Sequence, residues 1–295
     1  MVSKTFQIIS THTGILIKFY EYGIPGQSVF CIPYQTLVKS KGDIAMKLEQ
    51  VLATRANKTI YRHEDTVIKV FEKGYPKSLI LNEALNQSRV EETGLKIPKI
   101  RAVGMIDECW SITMDYIPGK TLDQLFKENP EKTDELLELF VDLQLEMHSK
   151  TAPSLNKLKD KLVRQIQSIK EIDATTRYEL LMRLDSMPKH TKLCHGDFLP
   201  SNIIINDSGA YIIDWSHATQ GNASGDTATT YLKMTLYYPD LAEKYIKLFC
   251  KKSDTALQYV QKWLPIVAAQ QLLRATTEEE KKFLFKWLDV IDYQG

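Results

Sequence analysis

Leu193–Asp214 reads LCHGDFLPSNIIINDSGAYIID, and the rest of the chain is best read outward from it. The polar cluster His195-Gly196-Asp197 leads into the apolar run Ile203-Ile204-Ile205, Asn206-Asp207-Ser208-Gly209 supplies turn residues, and a second apolar run ends in the carboxylate of Asp214. Short apolar runs bounded by Asn, Asp, Ser and Gly are strands joined by a tight connection, so the segment is a loop, a strand, a turn and a strand. Asp197 and Asn202 stand five residues apart, and Asp214 closes the hairpin. Three oxygen-bearing side chains are thereby brought to one place. Any one of them alone could simply satisfy backbone donors in a turn; the ordered set requires a chemical explanation.

The whole chain has 295 residues, 43% of them hydrophobic, enough to bury a substantial core as one large domain or two lobes in contact. Its 38 Lys and Arg nearly balance its 37 Asp and Glu, so it lacks the basic field that would hold nucleic acid or an anionic membrane, and neither partner is expected. Cys31, Cys109, Cys194 and Cys250 lie far apart with no CxxC pair, which argues against a zinc ribbon, a redox motif or a disulfide framework and points to a reducing cytoplasm. Polar residues interrupt every apolar run of the N-terminus, and no window approaches the roughly 18 apolar residues of a membrane span, so neither secretion nor insertion is expected.

Residues 1–43 form a strand-rich extension, with β-like runs at Phe6–Ser10, Ile15–Tyr22 and Val29–Ile32. A short helix is expected over Asp43–Ala53, then a hairpin, Thr59–Arg62 and Thr66–Phe71, turning at His63-Glu64-Asp65. A helix over Ser78–Glu92, closed by Gly94, and strands near Ile100–Met105 and Trp110–Tyr116 complete a β-rich part, 44–116. Beyond Pro118-Gly119 helical periodicity dominates 117–295, with helices expected at 131–150, 154–170, 174–187, 223–236, 239–252, 254–275 and 278–293. A β-rich front and a helical back joined at a Pro-Gly step imply an α+β fold of two lobes with a cleft between them.

HGDFLPSNIII followed by IIDW resembles the His-Gly-Asp-x-x-x-x-Asn and Ile-Asp-Trp signature of the aminoglycoside phosphotransferases and choline kinase-like small-molecule kinases. The Asp–Asn spacing is that of kinase catalytic loops. Gly196 stands where protein kinases carry an Arg, Trp215-Ser216 follows the metal-binding Asp in place of Phe-Gly, and no Ala-Pro-Glu segment follows, so the resemblance is to the small-molecule branch. It covers about Leu52 to Asp289 and departs from the family in Leu199-Pro200-Ser201, where His-Pro-Gly or something close is usual. It implies a protein kinase-like two-lobed fold and an enzyme that moves the γ-phosphoryl group of ATP, with Mg²⁺, to a hydroxyl of a small molecule. Asp197 would orient the acceptor hydroxyl, and Asn202 and Asp214 would bind the metal. Asp226, in GNASGDTATTYL, resembles the Asp that holds the catalytic loop from the start of a buried helix; a plain helix cap predicts almost the same position.

Lys69 interrupts a run of β-branched and aromatic residues, and an ammonium in a half-buried strand needs a carboxylate or phosphate partner. Ile80, Glu83, Gln87 and Val90 share one helical stripe, so Glu83 can face inward as that partner. The pair resembles the lysine–glutamate ion pair of kinases, in which the Lys holds the ATP phosphates. The resemblance also implies adenine contacts from the Met114 carbonyl and the Tyr116 amide. The phosphate-covering loop would lie at Thr54–Thr59, TRANKT, which has no glycine for close approach of backbone to phosphate; Asn57 and Lys58 would then have to do that work differently.

The acceptor stays open between an aminoglycoside, a sugar, an amino alcohol and an amino acid. A polycationic acceptor would need an acidic pocket, for which Asp254, Asp289 and Asp292 are available. His148 reads as a core or helix-end histidine, and His217 as a candidate for contact with phosphate or substrate. Two other classes remain: a pseudokinase-like nucleotide-binding module, suggested by the glycine-free loop and the extension, and a protein kinase, disfavoured by the missing activation-loop features.

Overall fold

The computed structural model describes Ile8–Ser10, Leu16–Lys18, Leu48 and residues 50–288. The chain divides into two compact units, Met1–Lys47 and Leu48–Gly295. In the first, β1 (Ile8–Ser10) and β2 (Leu16–Lys18) pair antiparallel with Ile9 opposite Ile17. The expected strand Val29–Ile32 lies outside the described residues.

The second unit opens with a five-stranded antiparallel sheet in the order β3-β4-β5-β7-β6. Its strands are β3 (Gln50–Arg55), β4 (Lys58–His63), β5 (Thr66–Phe71), β6 (Ile100–Ile106) and β7 (Cys109–Asp115). The β4–β5 hairpin turns with Glu64 in the left-handed region, as the polar turn residues demanded. Between β5 and β6 runs α1 (Lys77–Glu91), which packs Ile80 and Ala84 on Phe71, Ile112 and Met114 in a small core of its own.

The helix expected over Asp43–Ala53 is corrected where it is described: Gln50–Ala53 is strand. Val51 and Leu52 are 55% and 41% exposed, so the apolar spacing there marks no buried helical face, and the ladder to β4 decides the conformation.

After Pro118 the chain becomes helical. Gly119 adopts φ 146° and packs directly on the Ile205 backbone, where a Cβ would collide, so the step between lobes needs glycine. Then come β8 (Lys120–Thr121), α2 (Leu122–Glu128), α3 (Thr133–Ser149), α4 (Leu158–Ser168) and α5 (Ala174–Ser186). The deciding segment folds as β9 (Lys192–Cys194), a loop ending in the 3-10 turn Pro200–Asn202, and the hairpin β10 (Ile203–Asn206) and β11 (Gly209–Ile212). β12 (Thr219–Gly221) returns to pair with β9.

The rest is α6 (Ala223–Tyr237), α7 (Pro239–Ser253), α8 (Leu257–Gln261), α9 (Leu264–Leu272) and α10 (Glu278–Phe285). The single helix expected over 254–275 is broken because Pro265 in the first turn of α9 cannot continue a preceding helix. Helix α2 was not anticipated, although Thr121 and Gln124 form a reciprocal capping box at its start. A second core, with Phe140, Phe198, Trp215, Tyr245 and Trp263 at its centre, fills this lobe. No helix among the described residues is long and apolar enough to cross a membrane.

Candidate active site

A cleft of about 440 Å³ lies between the sheet and the helical part, lined on one side by Lys58, Lys69, Met114 and Tyr116 and on the other by Asp197, Asn202 and Asp214. Strand pairing and helix packing build the sheet side. Lys69 is 6% exposed in the middle of β5, and its Nζ donates to Glu83 Oε1 of α1 at 2.7 Å and lies 3.4 Å from Asp214 Oδ1. Lys58, at the start of β4, donates to both Glu83 oxygens at 3.1 Å. A buried and a half-buried cation thus share one glutamate and face one aspartate. Burial works against the Lys69 charge, but Asp214 and Glu83 outweigh it and raise the group above the ordinary lysine range. Burial likewise opposes ionisation of Asp214, and Lys69 and Lys58 overcome it, holding the carboxyl far below its usual range. Asp214 is therefore a carboxylate at any physiological pH.

Asp214 adopts φ 62°, a left-handed conformation that Asp tolerates better than most residues, and the turn Trp215–His217 follows directly. Helix α1 meets this turn through Asn86 Nδ2, which donates to the Ser216 carbonyl at 3.1 Å.

On the helical side Asn202 Nδ2 donates to the Asp197 carbonyl at 2.9 Å, and the Asn202 carbonyl accepts the Ile213 amide at 2.9 Å. One asparagine therefore ties the catalytic loop to the residue before Asp214 and leaves its own Oδ1 for another partner. His195 Nδ1 accepts the Asp197 amide at 3.1 Å, so Nε2 carries the proton and donates to the Ile213 carbonyl at 3.0 Å. Burial pushes His195 below the ordinary histidine value, which keeps this neutral tautomer.

Asp226, at the start of α6, accepts the His195 amide at 3.1 Å, the Gly196 amide at 2.7 Å and His148 Nε2 at 2.9 Å. Burial raises its pKa, but these bonds and the neighbouring histidines outweigh the effect and keep it below the ordinary value. Gly196 sits at φ 76° against His217, where a Cβ would lie 2.9 Å from the His217 carbonyl oxygen; no other residue fits this bend. His148, expected to be a plain core or helix-end histidine, is thus a second support of the loop, reached through Asp226.

The sequence-based set meets the cleft unevenly. Lys69, Asp197, Asn202, Asp214, Met114 and Tyr116 all line it, and Glu83 stands behind Lys69. The Tyr116 amide donates to the Asp65 carbonyl at 2.8 Å, so the donor expected to meet adenine is already engaged by the β4–β5 turn. Thr54–Thr59 is the end of β3, the two-residue turn Ala56-Asn57 and the start of β4, its ladder continuing to the pair Arg55–Lys58, and Lys58 points at Glu83. His217 is held well below the ordinary histidine value by burial and by the Arg274 and Lys161 charges. Asp254 ends α7 in a left-handed cap, away from the cleft lining, while Asp289 and Asp292 lie outside the described residues.

Sequence reading missed Lys233 of α6, whose Nζ lies 2.5 Å from Asp197 Oδ1, and Arg274 just past α9. Lys233 lies about two turns beyond Asp226 on α6, a spacing that the sequence alone gave no reason to single out.

Among the described residues no group of three or more His, Cys, Asp and Glu forms a metal cage. Asn202 Oδ1 with the Asp214 carboxylate is the donor set of a hard cation that shares its remaining positions with water and phosphate oxygens, so the residues present fit Mg²⁺.

The sequence profile of the phosphotransferase enzyme family matches residues 47–258. Among solved structures, a thermostable mutant of aminoglycoside phosphotransferase APH(4)-Ia in its apo form is similar at 13% identity and TM-score 0.59, covering 81% of this chain and 90% of that one. Aminoglycoside-3'-phosphotransferase of type VIII is similar at 15% identity and TM-score 0.53, with 82% and 91% covered. A choline/ethanolamine kinase family protein from Mesorhizobium loti is similar at 14% identity and TM-score 0.52, with 82% and 85% covered. No curated protein sequence matches the chain. At such identities the likeness is one of fold, the two-lobed kinase-like fold, and the family rests on the profile. Matched by it over well more than half its length, the chain belongs to the phosphotransferase enzyme family and is a small-molecule phosphotransferase.

Proposed function

We propose that the chain transfers the γ-phosphoryl group of ATP to a hydroxyl of a small molecule, with Mg²⁺ as cofactor. The observation that carries this reading is that Lys69, paired with Glu83 and reaching Asp214, faces Asp197 and Asn202 across one cleft. The apolar wall of Val67, Met114 and Ile117 is suited to a purine. Lys69 and Lys58 bring positive charge to the place where the triphosphate would lie, and Glu83 keeps both oriented when no nucleotide is bound. Asn202 and Asp214 would hold Mg²⁺, whose contribution is to neutralise charge on the phosphate oxygens.

Asp197 accepts or orients the acceptor proton. The acceptor O–H bond and the Pγ–O bond to ADP break, a new acceptor O–Pγ bond forms, and the proton leaves through the carboxylate. Asp226, His148 and the neutral His195 hold the loop that aims Asp197, so most of the rate comes from positioning and fixed charge. The similar structures are consistent with this: APH(4)-Ia has been solved with AMP-PNP and hygromycin B, and an amicoumacin kinase with AMP-PNP and Ca²⁺.

The test is ADP release with Mg-ATP across aminoglycosides, amino alcohols, sugars and hydroxy acids, with Asp197→Ala as the blank. Acceptor-dependent release lost in the variant supports the reading; release equal in both sinks it. A nucleotide-binding module with little turnover is favoured by the glycine-free β3–β4 turn and by the Lys233–Asp197 ion pair. Tight Mg-ATP binding with no acceptor-dependent release would select it.

A further inference from the structure

Behind Asp197, on the helical side, three basic side chains and a histidine from four separate elements converge. Lys233 comes from α6, Lys161 from α4, Arg274 from the segment after α9 and His217 from the turn after Asp214. Arg274 lines two cavities, one of about 140 Å³ shared with Lys233 and Tyr237, and a smaller one shared with Lys161, His217 and Gly196.

The carboxylates nearby are already committed. Asp226 is filled by His148 and two backbone amides, and Asp197 is paired with Lys233. Glu280 closes the N-terminus of α10 through the Thr276 amide at 2.7 Å and accepts the Tyr237 hydroxyl at 3.0 Å. Arg274 is left with no hydrogen-bond or ion-pair partner among the described residues; its one nearby opposite charge is Asp197, already held by Lys233. The Lys161 ammonium has only the His217 carbonyl, at 2.9 Å.

A largely buried cation without an ion-pair partner is costly, and the cost shows in neighbouring groups. Burial first, and Arg274 second, push the Lys161 ammonium down to about 7. The same small cavity holds three further buried polar atoms without partners, Gln165 Oε1, Thr219 Oγ1 and Gln270 Nε2. Asp226 and Glu280 also line these cavities, but both are hydrogen-bonded to other groups, so the Arg274 guanidinium, the Lys161 ammonium and the unsatisfied polar atoms beside Asp197 have no oxyanion paired with them. An aminoglycoside or amino alcohol would add like charge to this wall, whereas a guanidinium fork matches a planar or tetrahedral oxyanion.

We propose that the acceptor is an anionic hydroxy compound, whose carboxylate or phosphate group is bound by Arg274 with Lys161 and Lys233 while its hydroxyl faces Asp197. This rests on the phosphotransferase reading of the cleft and narrows it to one charge class.

The test uses the full chain with Mg-ATP and acceptors that share a skeleton but differ in charge: glycerate, glycerol phosphate, glycerol and aminopropanediol, then galacturonate, galactose phosphate, galactose and galactosamine, with kanamycin beside them. ADP release confined to anionic members is expected, and the carboxylate and phosphate arms separate the two oxyanions. Arg274→Gln should raise KM for the active acid by about tenfold or more, with a much smaller fall in kcat, and Arg274→Lys should recover part of the loss.

Neutral or cationic members turned over as well as the acids would overturn the proposal, as would a fall in kcat with KM unmoved. If no acceptor is active, inorganic sulfate decides. Millimolar sulfate, against chloride at matched ionic strength, should raise the Tm of the parent chain more than that of Arg274→Gln, and equal rises refute the site. Loss of Mg-ATP binding altogether, with the Arg274-dependent sulfate effect retained, would sink the kinase reading and leave the anion site standing.

Discussion

On the sheet side of the cleft each cation has its carboxylate, Lys69 and Lys58 on Glu83 with Asp214 beyond. On the helical side Lys233 is matched by Asp197, but Arg274 and Lys161 are matched by nothing of their own. The first arrangement is balanced whether or not a ligand is present, so it is preorganised for a substrate that arrives with its own metal and charge. In the second, Arg274 and Lys161 gain an ion pair only when something else supplies an oxyanion. Lysines on the two sides of Asp197 therefore serve different ends according to whether the fold supplies their partners.

Several substitutions would break or sharpen that contrast. The largest effect is expected for Asp197→Asn, which keeps the shape and removes the proposed proton acceptor: kcat should fall roughly 10²–10⁴-fold with Mg-ATP affinity little changed, read by single-turnover assay and nucleotide titration. Next is Asp226→Ala, which strands two amides and His148 in the interior and should cost about 3–5 kcal/mol in unfolding free energy; an unchanged denaturation midpoint would show that the loop is held by other means. Glu83→Gln should weaken Mg-ATP binding by about tenfold to a hundredfold, the worth of a charge-assisted hydrogen bond, and leave acceptor KM alone. If acceptor KM moves instead, the two walls are not independent.

Gly196→Ala places a methyl group against the His217 carbonyl at a left-handed backbone and should cost about 1–3 kcal/mol, with slower turnover before any loss of nucleotide binding. The smallest effect concerns Lys161. Its value in the folded chain, about 7, lies below the ordinary lysine value, so the cost of burying its charge is complete below that pH and is relieved as pH rises above it. Lys161→Met should therefore gain stability over the parent chain in acid, with the gain shrinking through neutral into alkaline solution; a gain that grows with pH would contradict the burial.

What was legible in the sequence was local. Asp197, Asn202 and Asp214 lie within one hairpin and its leading loop, so spacing alone brought them together, and Lys69 stood out as the single charge in an apolar strand. The fold class followed from the change of period at Pro118-Gly119. The cluster behind Asp197 is assembled from α4, α6, the turn after Asp214 and the residues after α9. Lys161 and Arg274 are more than a hundred residues apart and look like ordinary helix-surface cations until tertiary packing buries them. One element-level difference shares that origin: Leu52 and Val51 obey helical spacing but are claimed by the β4 ladder. The bond from the Tyr116 amide to the Asp65 carbonyl is likewise a tertiary contact that the sequence does not display.

The turn between β3 and β4 spans only Ala56 and Asn57, with Arg55 paired to Lys58 across it and the Asn57 carbonyl accepting the Glu72 amide. A connection this short, fastened on both sides, has no slack with which to swing, so it cannot work as a flap over a bound nucleotide. On the proposed function, exchange of ADP for ATP would then proceed by changing the spacing of the two lobes. Its tempo belongs to collective hinge motion, microseconds to milliseconds, instead of to the nanosecond flicker of a glycine loop.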